Sequence, residues 1–99
     1  MDAFYDAGDP SPDATFVVGF DRPMEEDGGD GPGNWVFHPV MGGAFIGSSL
    51  VWDDATHVRI HTSPGTPVPP LTGDYTQTGG DVRSAAGAEL ASIAGFAVG

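Results

Sequence analysis

The chain has 99 residues, the size of one domain, and its 39% hydrophobic and 10% aromatic content excludes a chain disordered by composition. Sixteen Gly and nine Pro make about a quarter of the residues turn formers, which favours many short strands over long helices. Three Arg and no Lys against fourteen Asp and Glu give a net charge of −11, a surface that repels phosphate backbones and anionic bilayers and so excludes nucleic acid and membrane as partners.

In chain order, AFYDA offers a short first strand before the breaker GDPSPD at 8–13. ATFVVGF (14–20) alternates, with Phe16, Val18 and Phe20 on one face and Thr15, Val17 and Gly19 on the other, which predicts a half-buried strand. Pro23 in DRPM ends it, because proline supplies no ladder donor. After the polar, glycine-rich loop EEDGGDGPG (25–33), NWVFHPV (34–40) places Trp35 and Phe37 on the core face and Val36 and His38 outside. Met41-Gly-Gly turns the chain into AFIGSSLVW (44–52), a strand breakable at Gly47, with Leu50 and Trp52 sharing a face. HVRIHT (57–62) is the cleanest strand, with Val58 and Ile60 pointing one way and His57, Arg59 and His61 the other. SPGTPVPP carries four prolines in eight residues and is neither helix nor central strand. A strand around Tyr75 follows. The helix-like 84–92 is short and holds Gly87, so it reads as a crossing loop with room for one helical turn. The terminal GFAVG is a last strand, with Phe96 and Val98 inward.

Six to seven short strands with turn signals about every ten residues predict an all-β chain, an immunoglobulin-like antiparallel β-sandwich. Residues 1–13 form an N-terminal arm or weak first strand, and 14–99 form the sandwich.

Two stretches carry a resemblance. An early strand, 14–20, ends in an F-x-x-P-[VM] phrase, here Phe20, Asp21, Arg22, Pro23 and Met24. The tail follows D-x-x-G-x-x-L-A-x-[FI]-x-x-x-A-V through Asp81, Gly87, Leu90, Ala91, Ile93, Ala97 and Val98, with looser spacing between Asp81 and Gly87. Between them, a proline-containing loop leads to the strand of Asp74 and Tyr75. Over residues 14–99 the chain thereby resembles the immunoglobulin-like repeats of the SwmB type, found in bacterial surface proteins and phage structural proteins. The resemblance implies that AAGAEL is the penultimate loop and AGFAV the closing edge strand. Physically, Gly87 permits the sharp loop, and Leu90 and Ile93 plug one end of the sandwich.

Catalytic and ligand-binding patterns are sparse. Without cysteine there is no disulfide framework and no cysteine-based zinc or redox site. His57 and His61, four apart on one strand, stand about 13 Å from each other, too far to share an ion. His38 would have to approach from another strand. Glu25, Glu26, Asp27 and Asp30 lack the D-x-D-x-D-G spacing of a calcium loop, and Asp53 and Asp54 suit an ordinary turn. GSSLV is not G-x-S-x-G, and GGDGPG is not a phosphate loop. Trp35 and Trp52 fall on core faces rather than on a sugar platform. The expectation is no enzyme, no metal and no cofactor.

The residues that suggest contact with a partner are Phe4 and Tyr5 in the acidic arm, the His57, Arg59, His61 face as a local cationic patch, and Val68 in the proline-rich loop. The N-terminus MDAFYDAGDPSPDA has neither the basic nor the apolar region of a signal peptide. The resulting expectation is a virion structural protein, assembled in the host cytoplasm, that decorates the capsid or sits on the tail of a tailed virus. Its partners would be the major capsid protein or another virion protein, with homo-oligomers as a further class. The alternative is a cell-surface adhesion or carbohydrate-binding immunoglobulin-like module. The acidity itself has two explanations, a GC-rich genome or halophilic adaptation to high salt.

Overall fold

The structure, a computed structural model, describes residues 1–10, 12–26, 31–78 and 82–99. Eight strands run through them: β1 (Asp2–Tyr5), β2 (Asp13–Gly19), β3 (Trp35–His38), β4 (Phe45–Ile46), β5 (Ser49–Asp54), β6 (His57–Pro64), β7 (Leu71–Tyr75) and β8 (Ile93–Val98). A single turn of 3-10 helix, Pro32–Asn34, leads into β3. The strands form two antiparallel sheets in the orders β1-β2-β6-β5 and β4-β3-β7-β8. Lettered in chain order these are A-B-E-D and C′-C-F-G, the arrangement of an immunoglobulin-like β-sandwich.

The period-two pattern decides which side chains fill the space between the sheets. Phe16 and Val18 of β2 and Val58 and Ile60 of β6 face Trp35 and Phe37 of β3 and Leu71 and Tyr75 of β7, all buried. The Phe16 and Phe37 rings stack across the sheets at 4.0 Å, and Trp35 lies 4.5 Å from Tyr75. Each such side chain contributes about 1.5–3 kcal/mol by leaving water. The Tyr75 hydroxyl accepts the Val82 N–H at 3.3 Å, so the core also fixes the start of the last loop.

The strand count exceeds the expected six to seven for two physical reasons. AFYDA is a full edge strand, and the 44–52 segment divides at Gly47 into strands that belong to opposite sheets. A side chain at 47 would collide with the carbonyl of Pro32, so the crossing needs glycine. β6 runs two residues further than expected, because Pro64 sits at the strand end, opposite Asp13, at an irregularity in the ladder. β2 is buried on both faces rather than half-buried. Its outward Val17 is flanked by Phe4 and Arg59, and Thr15 by His61.

The 84–92 segment is the expected loop, but without a helical turn. Ser84 N–H donates to the Ala88 carbonyl, Leu90 N–H to that of Val82, and Gly87 takes φ +92. Leu90 packs against the core from this loop, and Ile93 pairs with Tyr75 at the start of β8. The sheet edges differ in how they end. β1 is tied to the chain terminus by Tyr5 N–H to the Gly99 carbonyl at 2.8 Å and Gly99 N–H to that of Ala3 at 2.9 Å. β4 has two residues, β5 is irregular beside Asp53, and β8 bulges at Ala94–Gly95. Short, bulged or charged edges discourage further strand pairing.

Candidate functional site

The residues singled out in the sequence converge in part on the outer face of the first sheet. Register places Phe4, Val17, Arg59 and Val51 in one row across β1, β2, β6 and β5. Phe4 and Val51 remain exposed at the two ends of this row, 46% and 56%, with Arg59 between them. His57 and His61 flank Arg59 along β6, two residues to either side.

The electrostatics of this face reverse the expected sign. The Arg59 guanidinium donates to Asp6 at 2.6 Å, Asp9 at 3.2 Å and Asp53 at 3.0 Å. Asp53 and Asp6 hold the guanidinium proton more tightly than usual, and Arg59 in turn holds the Asp6 carboxyl below the ordinary carboxylate range. His57 Nδ1 lies 3.0 Å from Asp54, with the Asp2 carboxylate and the His57 ring both over Gly19. His61 Nδ1 is 3.1 Å from the Thr15 hydroxyl. The His-Arg-His set is therefore no cationic patch. Asp2, Asp6, Asp9, Asp53 and Asp54 outnumber the one guanidinium, and the face is acidic. A carboxylate in place of Arg59 would join three others at one point, so Arg59→Glu strikes the fold and is not a clean probe of docking.

Two of the six sequence-derived residues lie elsewhere. The Tyr5 ring turns inward, 5.6 Å from that of Phe16, and packs against the core. Val68 stands in the loop before β7, where its carbonyl accepts the Val40 N–H at 3.1 Å. With Met41 these residues make an exposed apolar corner beside the second sheet. Sequence reasoning missed Val51 and the clasp of Asp6, Asp9 and Asp53. Alternation with Leu50 and Trp52 was the available signal for Val51. Nothing local marks Asp6 and Asp9, because 53 and 50 residues separate them from Arg59.

On the opposite face, His38 Nε2 donates to Asp74 Oδ2 at 2.8 Å, far from His57 and His61 on the other sheet. Among the described residues no group of three or more His, Asp and Glu side chains is placed to hold a metal ion; Asp27 and Asp30 of the acidic loop lie outside those residues. Trp35 is wholly buried and Trp52 packs against the core, their indole N–H groups buried without a partner among the described residues. Neither ring is offered as a sugar platform. A cleft of about 260 Å3 between the 20–24 loop and the last loop is lined by Met1, Phe20, Met24 and Leu90, with Asp21 and Glu89 at its sides. No helix among the described residues is long and apolar enough to cross a membrane.

Comparison with models of known protein families, with curated proteins and with solved structures finds no match.

Proposed function

We propose that the chain is a virion structural protein, an immunoglobulin-like module that decorates the capsid, or sits on the tail, of a tailed virus by docking onto another virion protein. The observation that carries this reading is the outer face of the first sheet. It presents two exposed apolar side chains, Phe4 and Val51, within a field of carboxylates whose one guanidinium is already engaged. Such a face suits a basic protein surface. Apolar area supplies the contact, while opposite charge steers the approach and fixes the register. The major capsid protein is the first candidate partner.

The resemblance to SwmB-type repeats adds support through where its residues fall. Phe20 to Met24 follow the second strand, and Leu90 to Val98 lead into and form the last. The reading is tested by quantifying the chain by mass spectrometry in gradient-purified virus particles against the major shell protein. A copy number comparable to that of the shell protein indicates capsid decoration, and a small fixed number indicates tail or neck. Its absence from the particles overturns the reading.

A further inference from the structure

The carboxylates are not spread evenly over the sandwich. Asp2, Asp6, Asp9, Asp13, Asp53 and Asp54 lie on the first sheet or in the loops beside it, and Asp21, Glu25, Glu26 and Glu89 lie in the loops after β2 and before β8. Of the described carboxylates, Asp74 alone stands on the outer face of the second sheet, and it is fully engaged: Oδ2 accepts from His38 at 2.8 Å and Oδ1 from the Gly95 N–H at 2.7 Å. Among the described residues that face carries no other carboxylate and no arginine. Register sets Ile46 beside Val36 and Asp74, and His38 beside Thr72 and Ala97. Ile46 is 55% exposed, and the apolar corner of Val40, Met41 and Val68 adjoins its edge.

We propose that this face, the outer side of β4-β3-β7-β8, pairs with the same face of a second copy of the chain. The sign of the field selects the occupant. A basic partner is drawn to the carboxylate-bearing surfaces and finds nothing to pair with here. A second copy, at −11, is repelled from every described face that carries unneutralised carboxylates and meets least opposition at this one. Depletion of charge with retained apolar exposure is also the compositional mark of an interface centre. Covering the face leaves both Asp74 oxygens hydrogen-bonded, so the pairing buries one carboxylate per copy rather than a field of them. A two-fold pairing of like faces closes on itself and leaves the acidic faces pointing outward, available for docking. The pairing does not depend on the virion setting.

The mass of the full chain in solution, measured by sedimentation equilibrium from micromolar to millimolar protein in about 0.15 M and about 1 M NaCl, tests this. The expected result is a monomer–dimer equilibrium, tighter at high salt. Ile46→Asp and, separately, Thr72→Arg should each raise the dimer dissociation constant roughly tenfold or more, because like charges would face each other across the two-fold axis. Val51→Asp on the opposite face should leave it unchanged. Circular dichroism of each variant shows that it is folded, and two substitutions of opposite charge on different strands guard against loss of one to misfolding. A monomer at every concentration and both salts overturns the proposal. So does a dimer that Val51→Asp disrupts and the two second-sheet substitutions leave intact.

Discussion

At the scale of single residues, the acidic side chains of this protein act through local geometry more than through long-range charge. Asp54 illustrates this. It accepts the Thr56 backbone N–H at 2.8 Å, the Thr56 hydroxyl at 2.9 Å and His57 Nδ1 at 3.0 Å. The backbone bond is the largest cause, followed by His57, and together they hold the carboxyl near pH 2 rather than the ordinary 3.8. Asp6, through Arg59, and Asp74, through the Gly95 N–H, are lowered as well. A carboxyl more acidic in the folded than in the unfolded chain stabilises the fold fully above its unfolded value. That contribution is lost as pH falls through the folded one. The urea midpoint of unfolding should therefore decline as pH is taken from about 4 to about 2, with a flat region above. Asp54→Asn should lower the midpoint in the flat region and make the acid decline shallower. An acid decline unchanged in Asp54→Asn would assign the whole effect to the other carboxylates.

At the scale of elements, β1 shows how far sequence pattern reaches. AFYDA is too short and too polar to separate an arm from a strand by composition. What makes it a strand is its setting: antiparallel pairing with β2 along Asp2 to Tyr5, and closure by Gly99. Phe4 and Tyr5 are neighbours in the chain, yet one caps the outer row and the other joins the core. Tyr5→Ala should accordingly destabilise the fold by about 1–2 kcal/mol, since a half-buried aromatic contact is lost, while Phe4→Ala stays within about 0.5 kcal/mol. Urea titration of both variants checks this, and equal effects would mean that β1 does not hold the described register. The same contrast marks what was legible. Alternation in ATFVVGF, NWVF and HVRIHT correctly separates inward from outward side chains, because each strand repeats its pattern within four to eight residues. The sign of the outer face was not legible. Arg59 looks cationic beside two histidines, and only the ladder between β1, β2 and β6 brings Asp6 and Asp9 onto it.

At the scale of the whole molecule, two electrostatic effects oppose each other. The described ion pairs, Arg59 with its three aspartates, Arg83 with Glu25 and Glu89 at 3.6 Å, and Arg22 with Asp21 at 3.0 Å, favour the folded state and are weakened by salt. Repulsion among the remaining carboxylates disfavours it and is also screened. Magnitudes decide between them. Three arginines can engage only a minority of fourteen acids; the Arg22 pair is largely exposed and the Arg83 pairs are long, at 3.6 Å, and partly exposed, and pairs at the surface contribute about 0–1 kcal/mol. The surplus of eleven negative charges lies within a body whose longest dimension is 37 Å, so most of them stand within a few Debye lengths of one another at low salt. Screening of the repulsion should win. Between about 0.02 M and about 1 M NaCl, Tm should rise by roughly 4–8 °C, the shift that about 1 kcal/mol produces in a domain of this size. The form of the rise identifies its cause. Charge screening delivers most of the gain in the first few tenths molar, where the Debye length shortens fastest, whereas a general salting-out effect grows steadily to the highest concentration. A fall in Tm over the same range would show that the Arg59 clasp outweighs the repulsion, and that the acidity of this chain is not an adaptation to brine.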